Sequence, residues 1–316
     1  MKKILLLILS ILLTCMVGCK KTDKENKNDN LFISNETLKV LSPNGTPLLS
    51  QMYIENNKDL YNIKVDYAEG GSSLPSAFIT KSYDIIYAPL NVGIKMYINN
   101  KNYKLLGVVV DLNYYFISNE EITLDSFKNK EIVIFSEANM SGIISRMIFD
   151  YYNLEGLNIR YVESVADSMS AYIVNNNSIC LVSEPQLSNI ELKLGNIYTY
   201  SLKEEYEKIT GKNNLPQAAC FVRFDLDKDV VSKYEEYLIK SIEKINSDTI
   251  ESSRIGSTLY PSFKYEVLIK ALERSEINYR SASDSKNEIL DFINTLNSYN
   301  SSLLGGDVDE DFYFKK

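Results

Sequence analysis

Apolar positions along this chain gather into short runs separated by stretches with helical spacing. Nine runs predict strands: LKVL at 38–41, IKVDY at 63–67, YDIIY at 83–87, KLLGVVV at 104–110, YYFIS at 114–118, EIVIF at 131–135, IRYV at 159–162, ICLVS at 179–183 and ACFVRF at 219–224. Between them, Ile143, Ile144, Met147, Ile148 and Tyr151 recur at helical spacing, as do Val230, Val231, Tyr234, Tyr237 and Leu238. This alternation predicts an α/β fold whose sheets are covered by helices on both faces. From Asp229 onward the pattern reads as helical, with a capping box expected at Ser285-x-x-Glu288 ahead of Ile289, Ile293 and Leu296.

In open α/β sheets, ligands bind beyond the carboxyl ends of strands. Five loops follow strands directly: SPNGTP at 42–47, APLNVG at 88–93, DLNYY at 111–115, SEANMSG at 136–142 and EPQ at 184–186. The first opens a helix whose free N–H groups can hold a ligand oxygen. Tyr114 and Tyr115 are stacking candidates beside Asn113, and strand alternation lets at most one of them face a cleft. None of the five loops carries Lys or Arg; the nearest base is Arg146, while Glu137 and Glu184 add negative charge. A mixture of Asn, Ser, Tyr and carboxylate suits a neutral or weakly basic heteroaromatic better than nitrate or a sulfonate.

The N-terminus adds an address. Lys2 and Lys3 precede an apolar run from Ile4 to Leu13 that is too short to span a bilayer, and Met16-Val17-Gly18-Cys19 forms a small-residue cleavage site. The segment resembles a bacterial lipoprotein signal (residues 1–18), which implies that Cys19 is lipidated and becomes the mature N-terminus. Met16 departs from the usual Leu. Residues 19–30, ending in KKTDKENKNDN, have no apolar side chain after Cys19 and read as a disordered tether. The body is then expected outside the cytoplasm, held on the cell membrane by its lipid. Of the remaining cysteines, Cys180 and Cys220 sit in apolar runs without metal-ligand spacing, and are either buried free thiols or a disulfide.

Composition narrows the chemistry. The chain has 316 residues, a net charge of −8 and no basic cluster, which argues against a nucleic-acid partner. Histidine is absent, removing imidazole metal sites and the familiar nucleophile pairs. No metal, cofactor or catalytic residue is expected. The 23 Tyr and 12 Phe, without Trp, fit an aromatic pocket.

SPNGTP, YDIIYAPLNVG, EIVIF with its Ser/Gly-rich helix start, SICLVSEPQ and the terminal Leu304-Gly305-Gly306…Asp311-Phe312-Tyr313 together resemble substrate-binding proteins of ABC importers, in the branch for nitrate, sulfonate and thiamine-precursor uptake. The resemblance spans about residues 37 to 313 and lies in the order of the motifs. It implies a two-lobed type II periplasmic-binding-protein fold, each lobe a mostly parallel sheet flanked by helices, with a ligand cleft between lobes. Lobe one would comprise 31–110 and 221–316, and lobe two 111–220. The family's contact positions map onto Asn44, Gly45, Thr46, Pro89, Asn91, Asn139, Ser141 and Glu184, to which the loop reading adds Asn113 and Tyr114. Glu184 either meets the ligand or braces the turn set by Pro185. The implied protein is a monomer that hands a small solute to a membrane permease and its ATPase. A surface adhesin or structural lipoprotein, or an enzyme on the same fold, are the alternatives.

Overall fold

The computed structural model describes residues 33–68, 73–213 and 215–315. The expected signal segment, the tether and Cys19 lie outside the described residues. Each of the nine apolar runs forms a strand: β1 Leu38–Pro43, β2 Ile63–Ala68, β3 Ile85–Pro89, β4 Tyr103–Asp111, β5 Tyr114–Ser118, β6 Glu131–Phe135, β7 Asn158–Val162 and β8 Ile179–Ser183, with the ninth numbered β10, Pro216–Arg223. Two further strands, β9 Tyr198–Ser201 and β11 Ile277–Ser281, complete the described set.

These strands form two sheets, ordered β11-β4-β10-β3-β1-β2 and β7-β6-β8-β5-β9. The triplets β2-β1-β3 and β7-β6-β8 are parallel, their strands joined through helices as parallel crossovers require. The remaining pairs are antiparallel, so each sheet is mixed. Alternate residues serve opposite faces. Ile86 and Ala88 pack into one apolar cluster while Ile85 and Tyr87 pack into another, and Ile132 and Ile134 separate likewise from Val133. Burial on both faces is why these strands appear as unbroken apolar runs.

The chain leaves the first sheet after Asp111 and enters the second at Tyr114; it returns at Pro216, earlier than the expected boundary at Phe221. The two crossings are tied together where the Leu112 N–H donates to the Leu215 carbonyl at 2.9 Å. Two expectations for the C-terminal region are corrected. The helical tail is interrupted by β11, which pairs antiparallel with β4. The capping box at Ser285 does not form: its hydroxyl donates to the Ser281 carbonyl at 2.7 Å, and Glu288 pairs with Arg280. A nearby guanidinium outbids a backbone N–H for the carboxylate, because charge-assisted bonds are the stronger ones. Cys180 in β8 and Cys220 in β10 are buried free thiols on separate sheets. Burial pushes the Cys180 thiol up to about 12.

Candidate functional site

The parallel strands of both sheets end around one cavity of about 520 Å3, bordered by Pro43, Ala68 and Pro89 from the first sheet and by Phe135 and Ser183 from the second, with Glu163 just past the end of β7. Seven expected site residues line it: Asn44, Gly45, Pro89, Tyr114, Asn139, Ser141 and Glu184. Gly45 holds φ at +152°, a conformation that side chains rarely adopt, and so lets the chain turn from β1 into the helix Thr46–Ser50. On the opposite side, Asn139 starts the helix Met140–Tyr151 without using its side chain as a cap. Gly142 in that helix's first turn packs against the loop before it; a Cβ there would lie 2.2 Å from the Glu137 carbonyl oxygen. The Ser141 hydroxyl donates to the Phe135 carbonyl, which fixes the loop from within.

Strand alternation separates the two tyrosines. Tyr114 lines the cavity and meets Phe135 edge-on at 5.3 Å, while Tyr115 packs into the apolar cluster on the other face.

Thr46, Asn91 and Asn113 are not among the lining residues and instead join the lobes. Thr46 Oγ1 donates to the Glu184 carbonyl at 2.9 Å, and Asn91 Nδ2 donates to the Ala138 carbonyl at 3.3 Å. Asn113, at the crossing itself, donates through Nδ2 to Thr46 Oγ1 and to the Ser275 carbonyl, and through its backbone N–H to Gln217 Oε1. All three are buried, so their polarity serves the joint between lobes.

The segment after β7 escaped the loop reading, although the same strand-end rule points to it. Glu163 and Asp167 line the cavity there. Asp167 closes a reciprocal cap with Ser164 at the start of the helix Val165–Val174. Together with Glu184 they make the wall acidic, and among the described lining residues there is no Lys or Arg. Arg146 is engaged elsewhere, donating to the Glu137 carbonyl and the Tyr161 hydroxyl.

Glu184 carries a strongly perturbed carboxyl in this wall. Burial pushes its carboxyl up to about 7, against the opposing pull of Arg274 and of the Ser188 N–H, which donates to Oε2 at 3.2 Å. Arg274 Nη2 lies 2.7 Å from Glu184 Oε1, but its two hydrogens are directed to Ser188 Oγ and Glu191 Oε2. The contact is therefore ionic, and Oε1 has no aligned donor. Among the described residues no group of carboxylates and thiols is placed to hold a metal, and no helix is long and apolar enough to cross a membrane.

At the level of sequence, no family profile and no curated protein matches the chain. Solved structures do. An ABC transporter protein from Parabacteroides distasonis superposes with a TM-score of 0.76 at 17% identity, covering 89% of this chain and 100% of that one. The ligand-binding component of an ABC-type import system from Staphylococcus aureus, solved with zinc bound, gives 0.71 at 16% identity over 88% and 96%. The periplasmic aliphatic sulphonate binding protein of Escherichia coli gives 0.68 at 13% identity over 89% and 93%. With its two mixed sheets flanked by helices and a cavity between them, the chain has the two-lobed periplasmic-binding-protein fold.

Proposed function

We propose that this chain is the extracytoplasmic solute-binding component of an ABC-type importer, capturing a small neutral or weakly basic heteroaromatic between its lobes and passing it to a membrane permease and ATPase. The observation that carries the ligand class is the cavity wall, in which Glu163, Asp167 and Glu184 stand without a lining base among the described residues. An acidic wall favours a ligand that supplies N–H donors, as an aminopyrimidine does. Tyr114 and Phe135 supply flat apolar surface for its ring. The resemblance of the N-terminus to a lipoprotein signal supports anchoring through Cys19. Labelling with a fatty-acid probe is expected for the wild type and absent for Cys19→Ala.

A second reading, a small anion, is favoured by the neighbours named for sulphonate and nitrate and by the helix Met140–Tyr151, whose N-terminal residues line the cavity. Calorimetric titration with a hydroxymethyl aminopyrimidine, ethanesulfonate and nitrate separates the two. The first reading expects binding of the aminopyrimidine alone; micromolar binding of ethanesulfonate with no response to the ring compound overturns it.

A further inference from the structure

We propose that Arg274 is a positioning residue of the solute cavity: reaching across from the first lobe, it pairs with the cavity-wall carboxylate of Glu184 where the lobes meet. The proposal rests on the solute-binding reading above and adds to it the residue that sets the charge of the site.

Arg274 lies just past the helix Tyr265–Leu272 and contacts three side chains of the second lobe. It grips Glu191 with both terminal nitrogens, at 3.1 and 2.7 Å, and reaches Ser188 Oγ at 2.8 Å and Glu184 Oε1 at 2.7 Å. The two residues that follow are tied to the crossing. The Ser275 carbonyl accepts from Asn113 Nδ2 at 2.9 Å, and the Glu276 carbonyl accepts from the Asp111 N–H at 3.1 Å. The Glu276 side chain meets Lys203 of the second lobe at 2.7 Å. A change in the angle between lobes must therefore pass through this segment and alter the distance from Arg274 to Glu184.

The groups that face Glu184 are Arg274 from the first lobe, Ser188 and Glu191 from the helix Gln186–Leu194 that follows it, and Tyr115 from β5, with Glu204 and Glu276 beyond the tyrosine; Lys270 of the first lobe pairs with Glu191. Two carboxylates thus share one guanidinium but titrate in opposite directions. Against the pull of burial, Arg274 and Lys270 hold Glu191 below the usual range, whereas burial raises Glu184. Once the lobes part or the chain unfolds, Glu184 is solvated and returns toward the ordinary carboxyl value. Its folded value is raised, so the ionised carboxylate costs stability above about pH 7, and that cost fades as protonation proceeds below it. Arg274 offsets the cost only where it exists, on the alkaline side.

The test is a double-mutant cycle of Arg274→Ala and Glu184→Gln in thermal unfolding of the intact chain at about pH 8 and about pH 5.5, with Arg274→Lys as the conservative control. Arg274→Ala is expected to lower the midpoint by several degrees more at the higher pH. That pH difference should vanish in the Glu184→Gln background, and Arg274→Lys should recover part of the loss. Calorimetry with the hydroxymethyl aminopyrimidine should show Arg274→Ala weakening binding about tenfold at the higher pH and less at the lower. Equal losses at both pH values, or a pH-dependent loss that persists with Glu184→Gln, overturn the proposal. Coupling in the unfolding cycle with no binding of the aminopyrimidine supports the Arg274–Glu184 link and overturns the ligand class instead.

Discussion

Asn91 and Arg274 both reach from the first lobe to the second beside the cavity, and they do so with different chemistry. Asn91 makes one neutral hydrogen bond to the Ala138 carbonyl and leaves its own carbonyl oxygen buried without a partner. Arg274 joins an ionic cluster with Glu184, Glu191 and Lys270, and its neighbours Ser275 and Glu276 bond the crossing. A single neutral bond contributes about 1 kcal/mol, whereas removing one partner of a mostly buried ion pair strands a charge and costs several times that. One flank can therefore separate cheaply, while the other ties the charge of the cavity wall to the angle between lobes.

The strongest way to break this contrast is Arg274→Glu, which sets a third carboxylate against Glu184 and Glu191. A loss of about 3 kcal/mol in urea unfolding near neutral pH is expected, the low end for disrupting a buried pair because Arg274 is partly exposed. An unchanged unfolding midpoint would show that the ionic flank does not form. On the neutral flank, Gly142→Val forces a side chain toward the Glu137 carbonyl and displaces the loop that carries Ala138, for about 1–3 kcal/mol by the same measurement. Asn91→Ala sharpens the comparison. It removes a bond and an orphaned acceptor together, so the stability change should stay near 1 kcal/mol, with roughly fivefold weaker ligand affinity by titration. A larger loss than for Arg274→Glu reverses the ranking of the flanks. Glu184→Gln is read by its pH dependence: it should match the wild type only in the ordinary carboxyl range, gain on it as pH rises from there to about 7 and level off above, followed by thermal midpoints across that window.

Much of this was legible in the sequence because burial on both faces leaves a strong mark. EIVIF and ICLVS can hardly be other than interior strands, and the loops after them fall at the cavity. The two strands that were missed carry a weaker signal. YTYS of β9 is at least partly exposed throughout, and INYRS of β11 buries only Ile277, so neither shows an apolar run. Both lie next to strands that are far more apolar, and pairing with β5 and β4 supplies what their own composition lacks. The segment Glu163–Asp167 could have been found by applying the strand-end rule once more, after IRYV. Arg274 could not. It lies outside every strand-end loop, and its role depends on a helix from one lobe resting against Glu184 and Glu191 of the other.

By itself the sequence determined nine of the strands, helical spacing in segments such as 143–151 and 230–238, and the scarcity of positive charge in the strand-end loops, because periodicity and composition are local properties. It also placed Tyr114 or Tyr115, one but not both, toward a cleft. Only the tertiary structure decided that Tyr114 is the one, that Thr46, Asn91 and Asn113 join lobes while Asn44, Asn139 and Glu184 line a cavity, and that Glu184 is paired across the joint. Those outcomes depend on which residues distant in the chain are brought within hydrogen-bond or ion-pair reach. An isolated asparagine or glutamate has the same chemistry in either role, and only the groups that surround it once the lobes meet give it one.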